Sequence, residues 1–399
     1  VRVQLRQTAL RLVAIALTGL ASSGLAQAEP EGNFDTDFLV SYYDQDGDHS
    51  PVTGGIGTEK LEVVSPVVLL AWRIDESMTL TADIGVDQIS SASIGNIQVE
   101  VGSASIPASD TRTFGSFRLA KRFGRQTWGV TLGAANEYDY ESFSYGLDWS
   151  MELNQANTSI AASIRRYDDA IDLVGIDGYG SQGIGMPRTE GQGDRTTTDV
   201  YLTLSQTLGR RTAGSLEIFL SSQEGVLSTP YHEVHLISSS PLFPNGKPVA
   251  ERLPDSRERE ALGVRLNHAF TDRLVQRVGY RYYTDDWGID AHTIDLETHF
   301  RLSSEHEMWI FPILRFHTQT AADYFGLPLT FTGDEAYYTS DYDLSEFTSD
   351  KYGLGWTVNT LPNEDLFLLV DRFELRGTFY DRDDGLSGFT TSFAFGWTY

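Results

Sequence analysis

From residue 35 onward the chain is written largely in a period of two. Val200, Leu202 and Leu204 alternate with Asp199, Tyr201, Thr203 and Ser205; Leu216, Ile218 and Leu220 with Ser215, Glu217 and Ser221; Leu262, Val264 and Leu266 with Gly263, Arg265 and Asn267; Tyr352, Leu354, Trp356 and Val358 with Lys351, Gly353, Gly355 and Thr357. Successive side chains of a strand point to opposite faces, so each segment has one greasy and one polar face. The pattern predicts sixteen strands, near 35–44, 59–74, 77–90, 110–122, 126–138, 140–153, 157–170, 195–208, 212–224, 257–270, 274–287, 288–303, 306–319, 347–359, 365–381 and 387–399. With about 3.3 Å of rise per residue and a tilt near 40°, about ten residues cross a slab of roughly 25 Å, the height of an outer-membrane barrel's apolar band. Pro66 and Pro312 fall inside strands, where a ladder donor is lost, and bulges are expected there.

The connections alternate in length. Tight turns are predicted at Asp75-Glu76, Gly124-Arg125, Asn154–Ala156, Gly209-Arg210, Thr271-Asp272 and Ser303-Ser304, with Asn359–Asp365 looser. The opposite connections, 45–58, 91–109, 171–194, 225–256 and 320–346, are long and rich in Gly, Ser, Pro and Asp, with short exceptions near Asp139, Gly288 and Asp383. Short periplasmic turns opposite longer extracellular loops are the habit of outer-membrane barrels. The fold class predicted is therefore all-β, a single transmembrane antiparallel barrel of about sixteen strands, spanning 29–399.

Residues 1–28 read as a cleavable export signal: Arg2, Arg6 and Arg11, then the apolar run Leu12–Leu20, then Ala26-Gln27-Ala28. After it no apolar stretch approaches the length of a spanning helix. In the last strand Phe389, Thr391, Phe393, Phe395, Trp397 and Tyr399 share one face. Such a row suits an interfacial aromatic girdle, and Phe393, Phe395, Trp397 and Tyr399 resemble a sorting strand for the outer-membrane assembly machinery. A secreted β-sandwich would also alternate, but would not favour strands this long with so many aromatics at their ends.

If the apolar face meets lipid, the other face lines a lumen. Parity assigns to it Arg257, Arg259 and Arg265, Arg277 and Arg281, then Asp295, Glu297, His299 and Arg301, then Arg315 and His317, and finally Arg372, Glu374 and Arg376. On the lipid face an Arg or Lys would cost roughly 2–4 kcal/mol at the midplane. The basic groups are expected to cluster on one wall. Two consequences stay open: a transverse field across a water-filled pore favouring anionic or polar solutes, or a plugged lumen whose charges pair with one another.

Composition narrows the chemistry. Of 399 residues 12% are aromatic, and there is no Cys, so disulfides, thiolate metal sites, Cys nucleophiles and thioether-bound haem are excluded. A formal charge of −26 repels nucleic acid. His299 with Glu297 and Asp295 could form a base-and-orienter set, but a pore-lining role is the simpler reading. His232 and His235, which share a loop with Glu233, have a spacing that could hold a transition metal, but no convincing third ligand stands nearby in the sequence. Asp44, Asp46 and Asp48 begin like a calcium loop, yet His49 and Gly55 stand where Gly and Glu are required. The Gly-rich stretch 175–193 has no phosphate-loop ending and is expected to be an external loop. No enzyme activity, cofactor or metal is assigned.

Several stretches, among them Asp110-Thr111-Arg112, Asn136–Ser142, Leu153–Ser159, Tyr280–Thr293 (YRYYTDDWGIDAHT), Pro312–Tyr324 (PILRFHTQTAADY) and Thr339–Ser345, resemble a family of proteobacterial outer-membrane proteins catalogued as domain-of-unknown-function family 3570. The resemblance implies a barrel without established activity in the outer membrane of a Gram-negative bacterium. It also implies genes near those for a flavin transferase, a small lipoprotein and thioredoxin-like proteins. Two functions follow as expectations: a passive porin-like channel with an Arg-rich lumen, or a non-conducting barrel that anchors a cofactor-bearing redox or lipoprotein partner in the envelope.

Overall fold

The computed structural model describes residues 33–91, 108–175, 188–229, 232–242, 246–303, 307–359 and 370–399. Its strands are β1 (Phe34–Asp46), β2 (Leu61–Asp75), β3 (Met78–Ser91), β4 (Ala108–Phe123), β5 (Gln126–Glu137), β6 (Tyr140–Leu153), β7 (Thr158–Gly175), β8 (Arg188–Gly209), β9 (Thr212–Gly225), β10 (Glu233–Leu236), β11 (Lys247–Ala250), β12 (Ser256–Thr271), β13 (Leu274–Asp285), β14 (Asp290–Ser303), β15 (Met308–Gln319), β16 (Phe347–Asn359), β17 (Arg372–Arg382) and β18 (Ser387–Thr398). All but β10 and β11 form one closed antiparallel barrel of sixteen strands. It closes where β1 pairs with β18, reinforced by Phe34 N donating to Tyr399 O (3.0 Å) and Tyr399 N to Phe34 O (2.8 Å). Among the described residues the barrel sheet has no unpaired edge, as a bilayer demands.

The alternation explains the wall. Ile84, Phe117, Leu119, Val130, Leu132, Leu147, Ile164, Leu204, Leu262, Val264, Leu314 and Leu354 all project outward and are exposed, an apolar belt with no protein to cover it. Outward aromatics border the belt: Trp72, Phe123, Trp128, Phe270 and Phe300 near the short turns, Phe143, Tyr280, Phe316, Tyr352 and Phe379 near the long loops. Such girdles mark the two interfaces of a membrane barrel. Outward carboxylates begin at the second girdle, where Asp168 faces Phe143, and beyond it Asp44 faces Glu62 and Asp350 faces Asp381. Like charges facing across a ladder are unfavourable, so these rows belong in water, above the apolar belt.

Five sequence expectations are revised. β7 and β8 run well beyond 157–170 and 195–208, turning much of the expected loop 171–194 into strand. The loop 225–256 contains a hairpin, β10 paired with β11. The turn between β13 and β14 sits at Asp286–Ile289, so neither strand reaches 287–288. Of the strand placed at 365–381, positions 365–369 lie outside the described residues, and the described part starts at Arg372 and not at 370. Pro66 and Pro312 cause no bulge: pairing lapses beside each and resumes in the same register, from Val64↔Gln88 to Val67↔Gly85 and from Glu297↔Ile313 to Phe300↔Ile310. A short lapse absorbs the missing donor without an added residue. The export signal at 1–28, the centres of loops 91–109 and 171–194 and the turns at 304 and 360–365 lie outside the described residues.

Candidate functional site

Register places the expected polar residues on one continuous face: Asn267 opposite Arg277, Gly263 opposite Arg281, Arg277 opposite Glu297, Asp295 opposite Arg315, and Gly355 opposite Arg376. This is the concave face, because its side chains meet across strands that are not neighbours. Arg376 Nη1 on β17 lies 3.3 Å from Glu297 Oε1 on β14, and Arg372 Nη2 on β17 donates to Asp37 Oδ1 on β1 at 2.7 Å.

These charges are not a bare basic wall. Glu297 gathers Arg277 (3.6 Å), Arg376 and His299 (3.0 Å), and Arg376 also grips Glu374. Arg315 pairs with Asp295 at 2.5 Å, Arg265 with Glu217 at 3.3 Å, and Arg257 with Asp285 at 2.5 Å. Arg259 Nη2 donates to Ser221 Oγ at 2.9 Å, Arg281 lies over Phe219, and Arg301 pairs with Glu307 at 3.3 Å. The expected clustering is corrected on the other side too, where Arg112 pairs with Asp87, Arg118 with Asp148 and Arg195 with Asp169. The parity reading stopped short of β4–β8, where the same rule would have found them. Ion pairs therefore ring the lumen.

His299 is not an open pore-lining group. It is buried, and its ring stacks on Phe311 at 4.3 Å; Arg376 lies over the other partner of that stack, 5.1 Å from the Phe311 centroid. Phe311 is 1% exposed. Gly355 makes room for it, since any Cβ there would run into the Phe311 ring. His317 Nδ1 is 2.8 Å from Thr293 Oγ1. On the outer surface of β18, Phe395 packs on Phe373, Phe393 is exposed to the belt, Trp397 pairs with Thr36, and Tyr399 is exposed at the end of the row.

The long loops, unlike the strands, carry a core of their own. Val234, Leu236, Phe331 and Tyr338 form one cluster with Val249; Trp287, Ile289, Ala322 and Leu344 form another with Leu227 and Leu253. Backbone bonds tie the loops together: Glu233 N to Val52 O (2.6 Å), Ile237 N to Phe331 O (2.8 Å), Leu329 N to His235 O (2.8 Å), and Arg252 paired with Tyr338. Segments from the β1–β2, β9–β12 and β15–β16 connections thus make a folded cap at the loop end of the barrel. The 3-10 turn Tyr342–Leu344 fastens it to the wall.

Inside the cap, Glu251 is buried and accepts from Thr229 N (3.0 Å) and Thr339 Oγ1 (3.1 Å). His232 is buried, its Nδ1 3.2 Å from Pro51 O. His235 Nε2 lies 3.9 Å from Glu233 Oε2. Among the described residues no group of three or more His, Asp or Glu is arranged to hold a metal ion, and the Asp44–Asp48 stretch is no exception.

Fold and site together define an outer-membrane-type β-barrel with a charged interior and a folded cap. The chain belongs to the family described as Protein of unknown function (DUF3570), whose profile matches residues 7–365. No curated protein matches the chain by sequence. Similar solved structures include a bacterial polysaccharide outer membrane secretin (8% identity, 91% of this chain and 98% of that one, TM-score 0.46). A mutant of the TodX monoaromatic hydrocarbon channel is another (11%, 93% and 91%, 0.45), and a BenF-like porin from Pseudomonas fluorescens Pf-5 a third (7%, 92% and 99%, 0.45).

Proposed function

We propose that this protein sits in the outer membrane of a Gram-negative bacterium as a passive channel for small polar and anionic solutes. One observation carries the reading: charged side chains on the concave face keep contact with solvent inside the closed ring. Arg265 retains 44% of its side-chain exposure, and Glu297 and Arg376 22% each, although all are paired. Barrels of eight strands are filled by their side chains, whereas sixteen strands leave an aqueous passage. Ion pairs along the wall present donors and acceptors that replace part of a solute's hydration at each level. Because most of the lumenal Arg, Arg277 and Arg315 among them, have an acidic partner close by, selectivity should be mild, with Arg277, Arg281 and Arg315 favouring anions. The cap narrows the outer entrance, and the aromatic face of β18 serves the assembly machinery as the sorting strand.

Liposome swelling tests the reading. Vesicles carrying the refolded protein should swell in small sugars and in sodium acetate, progressively more slowly as solute size rises. Vesicles no more permeable than protein-free controls, with the barrel shown to be folded, would refute it and leave the anchoring of an envelope partner as the better account.

A further inference from the structure

Among the described barrel residues, the large apolar and aromatic side chains that remain well exposed lie on the outer surface, with one exception. Tyr201 on β8 faces the lumen and is 48% exposed. Its position is not an accident of a strand end, since Tyr201 pairs with Phe219, Phe219 with Ala261 and Ala261 with Tyr283 across four neighbouring strands. The Tyr201 and Phe219 rings lie 4.7 Å apart at 39°. Arg281 on β13 reaches over β12 to place its guanidinium 5.7 Å from the Phe219 centroid. The residues it crosses are Ala261 and Gly263, which have almost no side chain to obstruct it. Arg259, held by Ser221, stands on the next lumenal row, where Ser221 is opposite Asp199.

An exposed aromatic face in a water-filled lumen is a place where a flat apolar group loses water and gains contact. A guanidinium beside it offers parallel N–H donors that match a carboxylate. We propose that Tyr201, Phe219 and Arg281 form a lumenal subsite for planar aromatic carboxylates, the ring laid on Tyr201 and the carboxylate turned to Arg281. This rests on the reading of the lumen as open to solvent. A neutral sugar would use the aromatic face but leave the guanidinium unused, and an aliphatic acid would do the reverse, so the combination selects molecules carrying both groups.

The test is saturation-transfer NMR on the full-length barrel in detergent, titrated with benzoate, cyclohexanecarboxylate, benzyl alcohol and maltose. Saturable benzoate binding is expected, with each of the other three probes about tenfold weaker or more. Tyr201→Ala and Arg281→Gln should each weaken benzoate about tenfold, whereas Tyr201→Phe should retain it, with closure of the barrel in each variant checked by heat-modifiable gel migration. Equal binding of cyclohexanecarboxylate, dominant binding of maltose, indifference to Tyr201→Ala, or no saturable binding would each overturn the proposal. Because the assay needs no conduction, a barrel that binds benzoate yet passes no solute would retain the subsite while refuting the channel, and a permeable barrel blind to benzoate would do the opposite.

Discussion

Arg382 and Asp343, 39 residues apart, join the barrel wall to its cap: Arg382 Nη1 donates to Asp343 Oδ1 at 2.8 Å and Nη2 to the Tyr342 carbonyl at 2.9 Å. Arg382 is also clamped by Asp384 and lies over Phe347, 3.9 Å from its centroid. Gln319 adds bonds from Nε2 to the carbonyls of Asp343 (3.1 Å) and Ser345 (2.8 Å). The short turn Tyr342–Leu344 is thus tied at both ends to the rim of β15 and β17.

If that tie holds the cap, Arg382→Gln should loosen it without opening the barrel. Breaking one partner of a buried pair costs about 3 kcal/mol or more, and the partial exposure of Asp343 reduces this to about 2 kcal/mol. Hydrogen-exchange protection over 322–345 should fall about thirtyfold, while protection in β4–β6 is unchanged. Equal protection across the loop would show that the tie carries no load.

Acidity should act on the cap in a defined direction. Burial, reinforced by the charge of Asp341, pushes Glu251 up to about 8 from an ordinary 4.5, and burial with Asp343 does the same to Glu59. The folded cap then keeps protons that the unfolded chain releases, so this stability is full below about pH 4.5 and is lost as pH rises through 8. His232 runs the other way: burial lowers it to about 4 from 6.5, and its contribution is lost as pH falls from 6.5 towards 4. Glu251→Gln keeps an acceptor for Thr229 and places a donor beside Thr339. The variant should lose less cap protection than the wild type between pH 6 and 9, after correction for intrinsic exchange. An unchanged alkaline loss would remove Glu251 from the account.

The barrel was legible because lipid imposes a strict period of two; wherever Leu262, Val264 and Leu266 face the bilayer, Arg265 between them has only one place to go. The cap was not legible, since Val234 and Leu236 meet Phe331 and Tyr338 about a hundred residues away, with no periodicity to announce the contact. Parity likewise assigned Glu297 and Arg376 to one face but not to each other. Their ion pair depends on the curvature that brings β14 and β17 together. The two prolines misled for a local reason, because a lapse in one ladder was enough to accommodate each ring.

Phe311, an apolar ring beside a charged cluster, should matter to the order of that cluster. Held between His299 and Arg376 and seated over Gly355, it fixes the group around Glu297. Gly355→Val forces the ring away, at a cost of about 1–3 kcal/mol, and should lower the urea midpoint of the refolded barrel and broaden its conductance levels. A wild-type midpoint would mean that the wall yields easily there.

Neutralising Arg277, Arg281 and Arg315 together should turn mild anion preference into cation preference, because Glu297 and Asp295 would lose partners while keeping their charge. The zero-current potential in a salt gradient should change sign. An unchanged potential would place the selectivity elsewhere.

The most direct measurement is single-channel current through the refolded protein in a planar bilayer. An aqueous lumen ringed by ion pairs should give discrete steps of uniform size, weakly anion-selective. A closed barrel, verified by heat-modifiable migration and strand-rich circular dichroism, that inserts and stays silent at every voltage would contradict it.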